Sequence, residues 1–165
     1  MLSVLQKFKS RILALAVLLL CLPGAAVAAP PEITADAAVL MDVESGQIYY
    51  ARKHMRRAEP ASLTKIMTAV VALENGNPND VVTVKGRAAA VSMGSIVDLR
   101  KGEKLTLDEL LKAALICSAN DSTVAIAEHV GGDHDRFVEM MNAKAWTLGM
   151  FGTRFRNTNG YHDPN

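Results

Sequence analysis

Residues 60–73 set the strongest limit on the fold, because they combine a proline start with a long apolar run. The apolar positions continue with little interruption to Leu73, which predicts a mostly buried helix. Pro60 suits the first turn of such a helix. Asn75-Gly76 follows, and glycine tolerates the left-handed conformation in which many helices end. We therefore expect a helix from about residue 61 to residue 75, with the rest of the chain organised around it.

The same segment carries a serine and a lysine three residues apart, Ser62 and Lys65. Residues i and i+3 lie on one face of a helix, so the hydroxyl and the amine can meet. A helix N-terminus also favours the negative charge of an attacking alkoxide and of an oxyanion. A serine needs a neighbouring base, and a lysine can serve where burial lowers its pKa. Because the pattern fixes only two positions, a capping serine beside a solvated lysine remains the alternative.

The first 28 residues have the three regions of a secretory signal peptide. A basic segment precedes an apolar run over residues 12–22, and Ala26-Val27-Ala28 offers a cleavage site. The run has about 11 residues, which is too short to span a bilayer comfortably. We expect cleavage after Ala28 and export to the periplasm or to the outer face of the cytoplasmic membrane. An uncleaved anchor is the alternative.

Charge and cysteine content narrow the possible partners and links. Removal of residues 1–28 would take away three of the 18 basic residues and none of the 17 acidic residues, leaving a net charge of −2. This balance argues against nucleic acid as the main partner. Only Cys117 of the two cysteines would remain, so no intrachain disulfide could form. We expect Cys117 to be a buried apolar residue rather than a nucleophile.

The other elements predicted from the pattern are short strands followed by helices. Residues 37–42 and 47–51 form a predicted hairpin around the turn Glu44-Ser45-Gly46, and such a hairpin needs further strands or a packed helix. Residues 81–84 form another predicted strand, and residues 85–104 show no clean period and are expected to be loop with short extended pieces.

Three helices are expected in the second half of the chain. Thr106 and Glu109 have the spacing of a capping box, and the apolar residues that follow recur at helical spacing. This helix runs into Ser118-Ala119-Asn120-Asp121, whose side chains favour a turn. Further helices are predicted over residues 122–130 and 133–148. The turn between the first two would project Ser118 and Asn120 into a cleft.

Two spaced motifs connect these elements to a known family. Ser-x-x-Lys at Ser62 and Ser-x-Asn at Ser118 match the first two of three signatures shared by serine penicillin-binding proteins and serine β-lactamases. The chain resembles the D-alanyl-D-alanine carboxypeptidases, which are the low-molecular-mass penicillin-binding proteins. The resemblance covers residues 36–165, and it is carried by Leu40-Met41-Asp42 with Ser45-Gly46, residues 60–68, residues 115–121, Leu148-Gly149-Met150 and Asn159-Gly160.

The resemblance implies a fold and a set of roles. The fold would be a mixed α/β (α+β) one of the serine β-lactamase/transpeptidase type, with an N-terminal hairpin and a helical subdomain. Ser62 would be the nucleophile that forms an acyl-enzyme, and Lys65 would be its base. Ser118 would relay a proton to the leaving D-alanine, and Asn120 would hold the substrate backbone and Lys65. The substrate would be a peptidoglycan stem peptide ending in D-Ala-D-Ala, with β-lactams as inhibitors and no cofactor.

The third family signature, Lys-Thr-Gly, does not follow Ser118 in this chain. In the family it lies on a strand that contacts the substrate carboxylate and supplies the second oxyanion donor. We therefore expect residues 29–165 to be the N-terminal part of such a domain, with little or no activity as given. Any attachment to a membrane would come from a segment beyond Asn165.

Other functions are weighed against this one. His129 and His134, with Asp133 and Asp135, could suggest a metal site, but the glycines between them break the helix and no further ligand spacing supports it. A serine β-lactamase is the closest enzymatic alternative, although Ala119 in Ser-x-Asn and the hairpin both favour the carboxypeptidase. A non-catalytic peptidoglycan-binding fragment is the alternative from another class. The physiological role, whether in cross-link trimming, cell shape or sporulation, stays open.

Overall fold

The computed structural model describes residue 29 and residues 31–162. The predicted signal peptide and the last three residues lie outside this part of the chain. The described chain divides into two units, one ending at Arg56 and one beginning at Arg57. No helix within the described residues combines the length and the apolar character needed to cross a bilayer.

The described residues contain both strands and helices. The strands are β1 (Ala38–Met41), β2 (Ile48–Arg52), β3 (Val81–Thr83) and β4 (Lys104–Thr106). The helices are α1 (Thr64–Asn75), α2 (Gly86–Ala89), α3 (Leu107–Ile116), α4 (Asn120–Val130) and α5 (His134–Thr147). A short 3-10 turn, Ala61–Leu63, precedes α1. Each pair of strands, β1 with β2 and β3 with β4, forms a separate two-stranded antiparallel sheet.

The predicted hairpin is present in the first unit. Ala38 pairs with Arg52, and the register shifts between Leu40 and Met41, which marks a β-bulge. Asp42 holds the turn by accepting hydrogen bonds from the backbone N–H and the hydroxyl of Ser45, at 2.7 and 2.6 Å. Most strand residues are exposed, including large apolar ones on both strands. Within the described residues, this hairpin has no third strand.

Helix α1 is present where the apolar run predicts it, but it is buried on one face only. Seven of its residues are buried, whereas Ile66 and Leu73 are more than half exposed. The predicted left-handed end at Gly76 is wrong, because this residue has an extended backbone with φ −124° and ψ 167°. Glycine is required there for space instead. A Cβ at Gly76 would lie 2.8 Å from Leu107 Cδ2.

Residues 85–104, expected to be loop with short extended pieces, contain the short helix α2 and reach β4 at Lys104. Strand β4 pairs with β3, so that Val81 lies opposite Thr106. Two three-residue strands carry too little local pattern to be recognised individually. Their pairing across the chain defines them, with Val82 and the adjoining Val84 buried in the core.

Helix α4 lies at the centre of the second unit and packs against α1, α2, α3, α5 and β3. Its residues Val124 to Ala127 are buried, as are Leu107, Leu110 and Phe137 from the neighbouring helices. The capping box of α3 forms as predicted, with Thr106 and Glu109 bonding each other's backbone N–H. Because α4 begins at Asn120, two residues earlier than expected, Asn120 is held in a regular helix.

The expectation that Cys117 is buried is wrong. Its thiol is free and the residue is exposed. Cys117 is the C-cap residue directly after α3, and both it and the preceding Ile116 are exposed. The core contact of this helix is made one turn earlier by Ala114 and Leu111.

Candidate active site

Ser62 and Lys65 meet because the chain enters α1 through a 3-10 turn. In a 3-10 conformation, side chains at i and i+3 eclipse each other. Lys65 Nζ lies 3.1 Å from Ser62 Oγ, within hydrogen-bonding distance. Ala61, directly before the serine, has φ +47°, a conformation that L-residues rarely adopt. The backbone is thus strained at the point where the candidate nucleophile is presented.

Ser118 joins this pair from the turn between α3 and α4. Its hydroxyl is 3.2 Å from Lys65 Nζ and 3.0 Å from Ser62 Oγ. Ser118 itself has φ +56°, at the position after a helix end where glycine is usual. The turn is closed by the Ala119 N–H, which donates to Ala113 O at 3.1 Å. Two strained positions, Ala61 and Ser118, therefore bring two hydroxyls that are 56 residues apart in sequence to one amine.

Lys65 is buried, with 3% of its surface exposed. Its third hydrogen-bond partner is the backbone carbonyl of Asn159, at 3.2 Å. All three partners are uncharged, and no carboxylate among the described residues pairs with the amine. Burial without a counter-ion disfavours the ammonium form and lowers the pKa of Lys65 from its ordinary value. A larger share of the neutral, basic amine is therefore present near neutral pH.

Asn120 lies at the start of α4, where the segment of residues 93–95 holds it. Its side-chain NH2 donates to Met93 O at 2.8 Å, and its backbone N–H donates to Ser95 O at 2.7 Å. Gly94, with φ +74°, leaves room for this contact, since a Cβ there would be 2.5 Å from Asn120 Nδ2. The expected hydrogen bond between Asn120 and Lys65 is not among those of the described residues. The amide is turned towards the Met93 carbonyl instead.

Buried polar side chains hold in place the segments that carry the two motifs. The Asp121 carboxylate accepts hydrogen bonds from the backbone N–H groups of Val97 and Leu99 at 3.1 Å, which fixes the loop after residue 95. A second set of hydrogen bonds links three threonines. The Thr68 hydroxyl donates to Thr158 O at 2.7 Å, and the Thr158 hydroxyl donates to Thr123 Oγ1 at 3.0 Å. These side chains are buried and couple α1, α4 and the segment of residues 157–160.

The segment of residues 157–160 completes the site, a role that the sequence motifs do not reveal. Asn157 Oδ1 accepts from the Gly160 N–H at 2.7 Å, folding the segment into a turn. Gly160 has φ +76° and packs so closely that a Cβ would lie 1.8 Å from Ala61 O. The Asn159 carbonyl is thereby pressed against the start of α1, next to Lys65. Asn159-Gly160 is one of the stretches that carry the family resemblance, but the resemblance assigns this backbone carbonyl no role.

The histidines considered as metal ligands have different partners in the structure. His129 Nε2 is 3.3 Å from Asp80 Oδ2, whereas His134 Nδ1 is near Arg87 and Asp135. Arg87 is a cation beside a ring nitrogen that a metal would need. Among residues 29 and 31–162, no three His, Cys, Asp or Glu side chains cluster in a way that could hold a metal ion.

Residues 24–165 match the D-alanyl-D-alanine carboxypeptidase family. The chain belongs to this family. It is 40% identical over 130 residues to the D-alanyl-D-alanine carboxypeptidase DacF of Bacillus subtilis, covering 76% of this chain and 33% of that protein. It is 39% identical over 145 residues to DacA of Haemophilus influenzae, covering 82% and 36%.

Solved structures agree with this assignment. Penicillin-binding protein 5 from Haemophilus influenzae is similar with a TM-score of 0.77 and 36% identity, covering 83% of this chain and 42% of that one. A D-alanyl-D-alanine carboxypeptidase from Mycobacterium tuberculosis has a TM-score of 0.78 and 31% identity, covering 84% and 52%. The predicted transpeptidase-like mixed fold is confirmed. The chain spans about a third of the length of the curated relatives it matches.

Proposed function

We propose that this protein is a serine-type D-Ala-D-Ala carboxypeptidase that removes the terminal D-alanine from peptidoglycan stem peptides. The observation that carries the proposal is the environment of Lys65. This lysine is buried, its hydrogen-bond partners are uncharged, and its amine lies within 3.2 Å of two serine hydroxyls. A nucleophile, a base and a proton relay are the groups that acyl transfer needs.

Acylation begins at Ser62. The neutral amine of Lys65 takes the hydroxyl proton while Ser62 Oγ forms a bond to the carbonyl carbon of the penultimate D-alanine. The carbonyl oxygen becomes an oxyanion, for which the Ser62 backbone N–H supplies one donor. Lys65, now an ammonium, is stabilised by the carbonyl of Asn159 and by Ser118. These uncharged acceptors tolerate the ammonium without neutralising it, so it readily gives the proton up.

Ser118 completes the proton path. Its hydroxyl is within hydrogen-bonding distance of both Lys65 and Ser62, so it can pass a proton from the ammonium to the nitrogen of the departing D-alanine as the C–N bond breaks. Asn120 binds the backbone of the stem peptide. Its contact with Met93 O supports this role by fixing the orientation of the side-chain amide. Water then hydrolyses the acyl-enzyme and restores Ser62.

The proposal extends to where the protein works and what inhibits it. Residues 1–28 direct export, so the enzyme meets peptidoglycan in the periplasm or at the outer face of the cytoplasmic membrane. β-Lactams acylate Ser62 in place of the stem peptide. Residues 29–165 contribute the nucleophile, base and relay of the domain, and the chain carries no Lys-Thr-Gly to supply a second oxyanion donor. The 165-residue chain alone is therefore expected to turn over D-Ala-D-Ala peptides slowly or not at all.

A chimaera tests the proposal independently of the absence of Lys-Thr-Gly from this chain. Residues 36–162 would replace the matching segment of the Haemophilus influenzae DacA relative, which is 39% identical in the aligned region. We expect the chimaera to release D-alanine from a D-Ala-D-Ala peptide and to be labelled by a fluorescent penicillin. Ser62→Ala and Lys65→Met should each abolish both signals. Ser45→Ala, an exposed serine in the hairpin turn, is the matched control and should retain them.

Three results would contradict the proposal. A folded chimaera that is labelled equally with and without Ser62 would exclude this serine as the nucleophile. A chimaera that binds cell-wall peptide but is never labelled would favour a non-catalytic binding fragment. Rapid nitrocefin turnover would favour a β-lactamase, because penicillin-binding proteins stay acylated.

A further inference from the structure

An open pocket in the second unit shares no residue with the cluster of Ser62, Lys65 and Ser118. It has a volume of about 450 Å³ and lies where the end of α5 meets the following loop. Ligand pockets of small molecules are typically about 300–1,000 Å³, so the volume suits one or two rings. Four side chains define its character, and we call it the aromatic–arginine pocket: Arg57, Trp146, Phe151 and Arg154.

The apolar wall of this pocket is a pair of exposed aromatic rings. Trp146 and Phe151 pack edge to face with ring centroids 4.7 Å apart, yet 68% and 69% of their surfaces remain exposed. Large aromatic side chains usually bury most of their surface, and exposed apolar patches mark binding sites. The edge-to-face arrangement keeps the face of at least one ring open to a flat apolar partner.

The polar wall consists of two arginines. No Asp or Glu lines the pocket, and neither Arg57 nor Arg154 forms a salt bridge with any residue from 31 to 162. Arg57 makes one long hydrogen bond, from Nη2 to Gly152 O at 3.4 Å. Guanidinium groups without a carboxylate partner favour an anion, and they match the two oxygens of a carboxylate in a bidentate fork.

The pocket is preformed by its surroundings. Asn142, on the same helix as Trp146, accepts a hydrogen bond from the Phe155 N–H at 2.8 Å and donates to Phe155 O at 2.9 Å. The Met150 N–H donates to Ala145 O at 2.9 Å, which holds the loop against α5. The backbone that carries the pocket therefore needs no ordering when a ligand binds, which lowers the entropy cost of binding.

We propose that the aromatic–arginine pocket binds a sugar ring that carries a carboxylate. The C–H face of a pyranose is flat and apolar and suits an exposed aromatic ring, and the carboxylate suits the two arginines. The site lies outside the catalytic cluster, and its occupant does not need to be hydrolysed. The protein would thereby bind an acidic glycan at a second site, separate from the active site. A nucleotide also combines a ring with an anion, but the acidic net charge without residues 1–28 disfavours a phosphate-rich partner.

The chain has a single tryptophan, so its fluorescence reports on this pocket alone. The experiment titrates the protein with N-acetylmuramic acid, a sugar with a carboxylate, and with N-acetylglucosamine, its uncharged counterpart. We expect a saturable change in Trp146 fluorescence with the acid and binding of the neutral sugar that is about 10-fold or more weaker, as for the loss of a charge-assisted hydrogen bond.

Matched variants locate the interaction. Arg154→Gln should weaken binding of N-acetylmuramic acid to about the level of N-acetylglucosamine, whereas Arg156→Gln, which removes the same charge outside the pocket, should leave it unchanged. Phe151→Ala should weaken both sugars. Circular dichroism would verify that each exposed-site variant is folded.

The proposal is overturned if neither sugar causes a saturable change, if both bind equally, or if Arg156→Gln is as harmful as Arg154→Gln. Tighter binding of adenosine monophosphate than of N-acetylmuramic acid would also overturn it, in favour of a nucleotide site. None of these outcomes depends on hydrolysis at Ser62, so the test is separate from that of the catalytic proposal.

Discussion

Replacing Gly160 by alanine tests how tightly the segment of residues 157–160 is pressed against the start of α1. Gly160 has φ +76°, and an L-residue in that conformation costs about 1–2 kcal/mol. The added Cβ would also lie 1.8 Å from Ala61 O and 2.6 Å from Thr64 Oγ1. Ala61 O is a backbone atom of the residue directly before Ser62, so it cannot move without shifting Ser62. Overpacking of this kind costs about 1–3 kcal/mol, so we expect a total loss of about 2–5 kcal/mol of unfolding free energy.

Gly149 provides a matched control. Its φ is +75°, almost the same as that of Gly160, but a Cβ there would meet nothing within 4 Å. Gly149→Ala should therefore lose only the backbone contribution. The assay is urea unfolding followed by circular dichroism. With a urea m-value of about 2 kcal/mol/M, the steric difference between the two variants would appear as a midpoint lower by about 0.5–1.5 M in Gly160→Ala. Equal midpoints would refute the close packing against Ala61.

Three further substitutions probe the site and its support. Lys65→Met should flatten the pH dependence of stability. Burial lowers the pKa of Lys65, so between that value and 10.5 the unfolded chain binds more protons than the folded chain. The stability of the unsubstituted protein therefore rises with pH in this range, as unfolding in urea at several pH values would show. Asp121→Asn should cost about 1–3 kcal/mol, because an amide NH2 cannot accept from the backbone N–H groups that the buried carboxylate satisfies. Thr106→Ala should cost about 1 kcal/mol through loss of the capping box at Glu109, measured as a urea midpoint.

Each of these has an outcome that contradicts it. An unchanged pH profile in Lys65→Met would show that burial of the amine does not disfavour its charge. Asp98→Asn is the control for Asp121, since Asp98 is exposed and has no side-chain hydrogen bond to a described residue, and equal losses in both would remove the structural role of Asp121. Full stability in Thr106→Ala would mean that other contacts, not the cap, fix the start of α3.

Features set by near neighbours in sequence are the ones that the sequence predicts well. The capping box of α3 needs only residues three apart, and it forms as expected. The helix predicted from residue 133 likewise begins with a local contact, because the Asp133 side chain accepts from the Arg136 N–H. Strand β4 and helix α2 were not predicted, because pairing with distant segments stabilises them more than their own pattern does. The early start of α4 has the same cause. Ser, Asn and Asp favour turns locally, but Asp121 here satisfies the backbone of residues 97 and 99.

The candidate site divides in the same way. The spacing of Ser62 and Lys65 within one turn is local and follows from the sequence, and the closeness of Ser118 was expected from the family resemblance. The third partner of the lysine, the Asn159 carbonyl, is a backbone atom 94 residues away. A backbone acceptor leaves no mark on residue type at its own position. The indirect sign is the stretch Asn159-Gly160, whose glycine must fit against Ala61.

The hairpin of β1 and β2 has a practical consequence for handling the protein. Within the described residues no third strand pairs with β1 or β2, and Val39, Leu40 and Tyr49 are 54%, 61% and 61% exposed. Uncovered strands with apolar side chains recruit other strands, and molecules that display them aggregate as their concentration rises. Dilute solutions and charged substitutions on these strands, such as Val39→Lys, should therefore extend the time for which purified protein stays monodisperse.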